Sequence, residues 1–137
     1  MSNKARIMVV DDTALVRLIL EQIVKGAPDL ELVATGRNGK DALDKLKDAK
    51  PDLIMTDIEM PEMDGLTFLR HARLKSRAKI IVLSSIAQAG SKASVEAKRL
   101  GADAIIAKPA GAATLDAATT DYVLGAIREQ LGMKKAG

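Results

Sequence analysis

The sequence has 137 residues, room for one domain of ordinary size, and its 47% hydrophobic and 28% charged residues are the usage of a globular chain with a buried core. Phe68 and Tyr122 are its only aromatics, which predicts an aliphatic core and excludes a base-stacking surface for single-stranded nucleic acid. A net charge of +3, read as spread along the chain, argues against a DNA-binding stripe, the lack of cysteine excludes disulfides and thiolate metal sites, and no membrane-length apolar run or secretory pattern occurs.

In chain order, short apolar runs alternate with segments of helical period. Ile7-Met8-Val9-Val10 reads as a strand ending at Asp11-Asp12, and a helix follows with Leu15, Leu18, Ile19 and Ile23 on one face. Leu30, Leu32 and Ala34 alternate with Glu31 and Val33, as in a strand near a sheet edge. Asn38-Gly39 opens a second helix that turns Ala42, Leu43, Leu46 and Ala49 inward. After Pro51, the strand Leu53-Ile54-Met55-Thr56 ends at Asp57, and a helix from about Gly65 buries Leu66, Leu69 and Ala72. Ile80-Ile81-Val82-Leu83 ends at Ser84-Ser85, and a helix through Val95, Ala97 and Leu100 stops at Gly101, a natural cap residue. Ala104-Ile105-Ile106-Ala107 ends at Lys108-Pro109, the small-residue stretch Ala110–Ala118 reads as a loop, and a last helix presents Val123, Ile127 and Leu131.

Five successive β-α units with strands apolar on both faces predict an α/β fold: a doubly wound, five-stranded parallel sheet covered by helices on both sides. One domain over residues 1–137 is expected, with its core from about 5 to 132 and a short basic tail. Ligands of such sheets bind beyond the carboxyl ends of the strands, where strand order reverses. If the first, third, fourth and fifth strands are neighbours, Asp11, Asp12, Asp57, Ser84 and Lys108 rim one pocket.

Three close carboxylates repel, so either their pKa values rise or a cation sits among them. Oxygen-only ligands suit a hard dication, and Mg²⁺ best, because it keeps water and phosphate oxygens in its shell. Lys108 is a point-charge partner for a phosphoryl oxygen, and Ser84 is a hydroxyl donor. The set matches phosphoryl transfer, which is mostly positioning and charge neutralisation, with Asp57 as the nucleophile. Each residue alone also has a plain reading. Asp11-Asp12 can cap a helix, Asp57 can belong to a turn, Ser84 can be structural, and Lys108 can be a solvated loop lysine. Their coincidence at four strand ends favours a site. His71, on a helix remote from those ends, reads as a surface residue, and no G-x-G-x-x-G or G-x-x-x-x-G-K-[ST] loop is present.

Val9-Val10-Asp11-Asp12, the run from Asp57 to Gly65, Ser84-Ser85 and Lys108-Pro109 closely resemble the receiver domains of bacterial two-component response regulators, from about Arg6 to Leu131. The resemblance implies a flavodoxin-like fold with strand order 2-1-3-4-5 and five helices. It implies that Asp57 accepts a phosphoryl group from a sensor histidine kinase, with Ser84 as switch hydroxyl and Lys108 touching the phosphoryl group. It also implies Mg²⁺ held by Asp12, Asp57 and the Glu59 backbone carbonyl, Asp11 acting mainly through water, and a cis Lys108–Pro109 bond. Many relatives carry an aromatic three residues before the lysine; here that position is Ile105.

The length of Ser84–Gly101, Glu59, the serine pair and the loop after Pro109 look more like receivers attached to chemotaxis methylesterases. The expected function is a phosphorylation-controlled binding module of a chemotaxis or motility system, not an enzyme in its own right. Its output would be a downstream effector protein, such as a flagellar-motor or chemotaxis component. A monomer in the cytoplasm is expected, with no nucleic-acid partner and no membrane insertion. The alternatives are the regulatory receiver of a methylesterase and a phosphate sink that drains a shared kinase.

Overall fold

The computed structural model describes residues 4–58, 65–84, 92–108 and 117–133. The strands are β1 (Ala5–Val10), β2 (Leu30–Gly36), β3 (Leu53–Asp57), β4 (Lys79–Ser84) and β5 (Ala104–Ala107). The helices are α1 (Ala14–Lys25), α2 (Gly39–Ala49), α3 (Gly65–Lys75), α4 (Lys92–Arg99) and α5 (Ala117–Leu131). All pairings are parallel, as the apolar strands predicted, and the sheet order is β2-β1-β3-β4-β5, as the resemblance implied.

The strands are apolar at successive positions because both faces of the sheet are covered. Ile7, Val9, Leu53, Met55, Ile81 and Leu83 point to one side, against Ile19, Leu20 and Ile23 of α1 and Val123 and Ile127 of α5. Met8, Val10, Ile54, Ile80 and Val82 point to the other, against Ala42 and Leu46 of α2, Phe68, Leu69 and Ala72 of α3 and Ala97 of α4. A fully buried side chain of this size contributes ~1.5–3 kcal/mol, so two such layers account for a stable core without large aromatics.

Local signals set the helix ends. The Asn38 side chain caps α2 by accepting the Asp41 N–H at 2.8 Å. Beyond α4, Gly101 takes φ +112°, a conformation that costs glycine little.

Four readings of the sequence change. Leu15 and Leu18 are more than half exposed, and the buried stripe of α1 is Val16, Ile19, Leu20, Ile23 and Val24. Both stripes have helical spacing, and the side on which β1 and β2 receive the helix selects the second. Val95 is exposed as well, since α4 turns Ala97 to the core instead. Ala117 and Ala118, read as loop, begin α5. The positive charge is not evenly spread: Gly65–Lys108 holds nine Lys and Arg against Glu96 and Asp103 alone. The rest of the Ala110–Ala118 stretch lies outside the described residues.

Candidate phosphoryl-transfer site

β1 ends in Val10, and the Asp11 N–H continues the pairing with β2 by donating to the Gly36 carbonyl at 3.1 Å. The Asp11 side chain is fully buried. Its Oδ1 accepts the Thr13 N–H at 2.7 Å, and its carbonyl accepts from Arg17 Nη1 at 2.8 Å. Its Oδ2 makes no hydrogen bond, and its closest cation is the Lys108 ammonium at 3.4 Å. Asp12 stands exposed beside it. The N-cap of α1 is Thr13, so neither aspartate is the cap residue. Asp11 instead fixes the turn into the helix with one oxygen and leaves the other to the site.

Asp57 closes β3, the central strand, opposite Leu83 of β4, and is 3% exposed. Its Oδ2 accepts from Lys108 Nζ at 2.8 Å, and its carbonyl accepts from the Thr56 hydroxyl at 3.1 Å. After it the Ile58 N–H bonds the Leu83 carbonyl at 3.3 Å, and Gly65 N–H returns to the Ile58 carbonyl at 2.9 Å. A Cβ on Gly65 would lie 2.3 Å from the Asp57 carbonyl oxygen and 2.5 Å from Ile58 Cα. Only glycine lets α3 start so close to the Asp57 peptide, so this residue is required for packing and not for its backbone angles.

Lys108 follows β5, and its N–H donates to the Ser84 carbonyl at 2.9 Å. Because β4 lies between β3 and β5, the ammonium reaches Asp57 by crossing the end of β4, where Ser84 is 3% exposed.

The electrostatics follow from this crowding. Burial lifts the Asp11 carboxyl to about 6; the Thr13 N–H opposes the shift, the Asp57 charge adds to it, and Lys108 opposes it. Burial works against the Lys108 charge, but the hydrogen bond to Asp57 and the charges of Asp11 and Asp57 outweigh it and hold the ammonium above the usual lysine range.

Carboxylate oxygens of Asp11, Asp12 and Asp57 lie within 4.8 Å of one another, and one ammonium cannot neutralise three of them. An all-oxygen donor set with a buried, unbonded Oδ2 and an exposed rim residue fits a hard cation.

The fold thus brings together Asp11, Asp12, Asp57 and Lys108, with Ser84 at the adjoining strand end. Glu59, Ser85 and Pro109, and with Pro109 the expected cis bond, lie outside the described residues. His71 is exposed on α3, as expected. The sequence reading had no role for Arg17 or Thr13. Arg17 lies within α1 and bonds a main-chain carbonyl, and no residue-type pattern marks such a contact. A groove of about 900 Å³ lies at the opposite end of the sheet between α2 and α3, lined by Leu43, Lys47, Pro51 and Arg77. None of the site residues borders it.

A parallel 2-1-3-4-5 sheet with an acidic cluster and a lysine at its carboxyl end is a doubly wound, flavodoxin-like fold with its candidate site where such sheets bind ligands. The response regulator receiver domain family matches residues 7–120, and the chain belongs to it. It is therefore a receiver of the two-component signalling type. It is 43% identical over 113 residues to protein-glutamate methylesterase/protein-glutamine glutaminase 2 of Carboxydothermus hydrogenoformans, a match covering 82% of this chain and 32% of that protein. Among solved structures, the response regulator domain of Thermotoga maritima CheB is similar with a TM-score of 0.82, 32% identity and coverage of 96% of this chain and 99% of that one. A structure of the P1 domain of CheA3 in complex with CheY6 from R. sphaeroides gives a TM-score of 0.79 and 44% identity, covering 95% of this chain and 98% of that chain. The chain spans about a third of the length of the curated methylesterases it matches. No helix among the described residues is long and apolar enough to cross a membrane.

Proposed function

We propose that Asp57 accepts a phosphoryl group from a phosphohistidine of a sensor kinase and that the modified domain presents an altered surface to an effector in cytoplasmic chemotaxis signalling. One observation carries this reading: an ammonium delivered across β4 lies 2.8 Å from an Asp57 oxygen, beside a buried carboxylate oxygen with no hydrogen bond. In the reaction an Asp57 carboxylate oxygen bonds phosphorus while the P–N bond to the imidazole breaks, and the imidazole nitrogen leaves with the electron pair and takes a proton. Lys108 orients Asp57 beforehand and neutralises charge on the transferred group. Buried Ser84 offers its hydroxyl at the adjoining strand end.

Asp12, Asp57 and the Glu59 carbonyl would hold Mg²⁺ directly and Asp11 mainly through water, a reading supported by the Asp11-Asp12-Asp57 cluster, and the ion would supply positive charge to the phosphoryl oxygens. The likeness to a structure containing a CheA3 P1 domain supports a kinase of that kind as phosphodonor. Wild type incubated with acetyl phosphate and Mg²⁺ should gain the mass of one phosphoryl group, and Asp57→Asn should gain none. Equal labelling of both would end this reading.

A second reading, the regulatory receiver of a methylesterase, is supported by the run of methylesterase relatives. The intact mass of the product of the native reading frame tests it. A product near 14.5 kDa removes that reading, and one about three times as long supports it.

A further inference from the structure

β5 is an outer strand that pairs with β4 alone. Along a strand, successive residues direct their N–H groups to opposite sides. The Lys108 N–H points inward to the Ser84 carbonyl at 2.9 Å, so the Ala107 N–H points outward, off the sheet edge. There the Tyr122 hydroxyl of α5 accepts it at 3.1 Å.

An edge N–H is ordinarily satisfied by water and does not require a side chain. Tyr122 is 50% exposed, whereas its neighbour Val123 is fully buried, so core packing does not account for a tyrosine at this position. What the bond achieves is local. β5 has only four residues, and the last two N–H groups before the Lys108 side chain are held from opposite sides, by Tyr122 outside and Ser84 inside. The ammonium at the far end of that side chain has to reach Asp57 at 2.8 Å and Asp11 at 3.4 Å. A small tilt of the strand end is magnified over the length of a lysine, and a displacement of about 1 Å in a reacting group costs up to ~100-fold in rate.

We propose that Tyr122 is a positioning residue for phosphoryl transfer: by closing the outer edge of β5 at Ala107 it sets the direction from which Lys108 meets Asp57. This rests on the transfer reading above. Tyr122→Phe keeps the ring and removes the hydroxyl acceptor. Its rate constant for Asp57 labelling by acetyl phosphate at saturating Mg²⁺ should fall about fivefold, the scale of one lost hydrogen bond, with little change in melting temperature.

The decisive measurement repeats the substitution in a Lys108→Ala background. If Tyr122 acts through Lys108, the double variant should label at the same rate as Lys108→Ala alone. Wild-type labelling by Tyr122→Phe, or an equal slowing in both backgrounds, overturns the proposal while leaving Asp57 as acceptor. Failure of wild type itself to label removes the transfer reading first, and this inference with it.

Discussion

Asp103 and Asp11 are acids at opposite ends of the same sheet, and the fold treats them in opposite ways. Asp103, before β5, is partly exposed and is hydrogen-bonded through one oxygen. Its Oδ2 accepts the Ile80 N–H at 2.8 Å and Arg73 Nη2 at 3.2 Å, and its own N–H returns to the Ile80 carbonyl at 2.8 Å. Arg73 extends the clamp to the carbonyls of Ala78 and Gly101 at 3.1 and 3.0 Å, tying α3, the start of β4 and the loop after α4 together. Asp11, after β1, is more deeply buried and has one oxygen with no hydrogen bond. A buried acceptor without a donor costs free energy, and that cost is tolerated where the lone pair is kept for a ligand. One end of the sheet is built for cohesion, and the other leaves a buried acceptor open.

The largest expected effect tests the underserved end. With divalent cations chelated, the folded chain holds the Asp11 carboxyl at about 6, against 3.8 for the unperturbed group, with Asp57 and Lys108 facing it. A raised native pKa means that this group's stabilising share is full below the unfolded value and is lost as pH rises through about 6, amounting to up to about 3 kcal/mol. Asp11→Asn should lack that loss, so without metal it should melt above wild type near pH 8 and lose the advantage near pH 4. Parallel melting curves in chelator check this, and an advantage that persists at low pH would show that Asp11 is not underserved.

At the clamped end, Arg73→Ala should destabilise by about 2 kcal/mol, since three acceptors lose their charged donor. Denaturant titration measures this, and labelling of Asp57 should keep its wild-type rate. Slower labelling would mean that the two ends are coupled.

The smallest effect concerns a pair on neither end's chemistry. Arg128 of α5 bonds Asp29, just before β2, through both carboxylate oxygens at 2.9 and 2.8 Å, and this holds the Asp29 carboxyl below its usual range. Arg128→Ala should cost about 1 kcal/mol at neutral pH, a value already reduced for the partial exposure of the pair. A depressed native pKa stabilises above the unfolded value, so the difference between the two proteins should vanish as pH falls below about 4. Denaturation at both pH values checks the sign.

Much of this was legible in the chain. The β-α alternation rests on run length, and the turns on Asn38, Pro51 and Gly101, all local features. Asp11, Asp12, Asp57, Ser84 and Lys108 stood out because each ends an apolar run, and in a parallel sheet all such ends face the same way. The exposure of Leu15 and Leu18 was not legible, since their stripe and the buried one are equally good helical spacings. The Ala107–Tyr122 bond was not legible either, since nothing in the sequence distinguishes a tyrosine that caps a strand edge from one that faces water.

The sequence by itself determined which chemical groups end the strands and in what chain order, because side-chain type and apolar periodicity are written locally, whereas their gathering follows from the sheet order. Tertiary structure alone decided how those groups differ. Asp11 and Asp12 are the same residue side by side, yet one is fully buried with a raised pKa and the other is exposed. Desolvation and the distance to a charge arise only when β5 brings Lys108 past β4 to Asp57. Those two quantities, absent from any linear reading, turn a set of acids into a site.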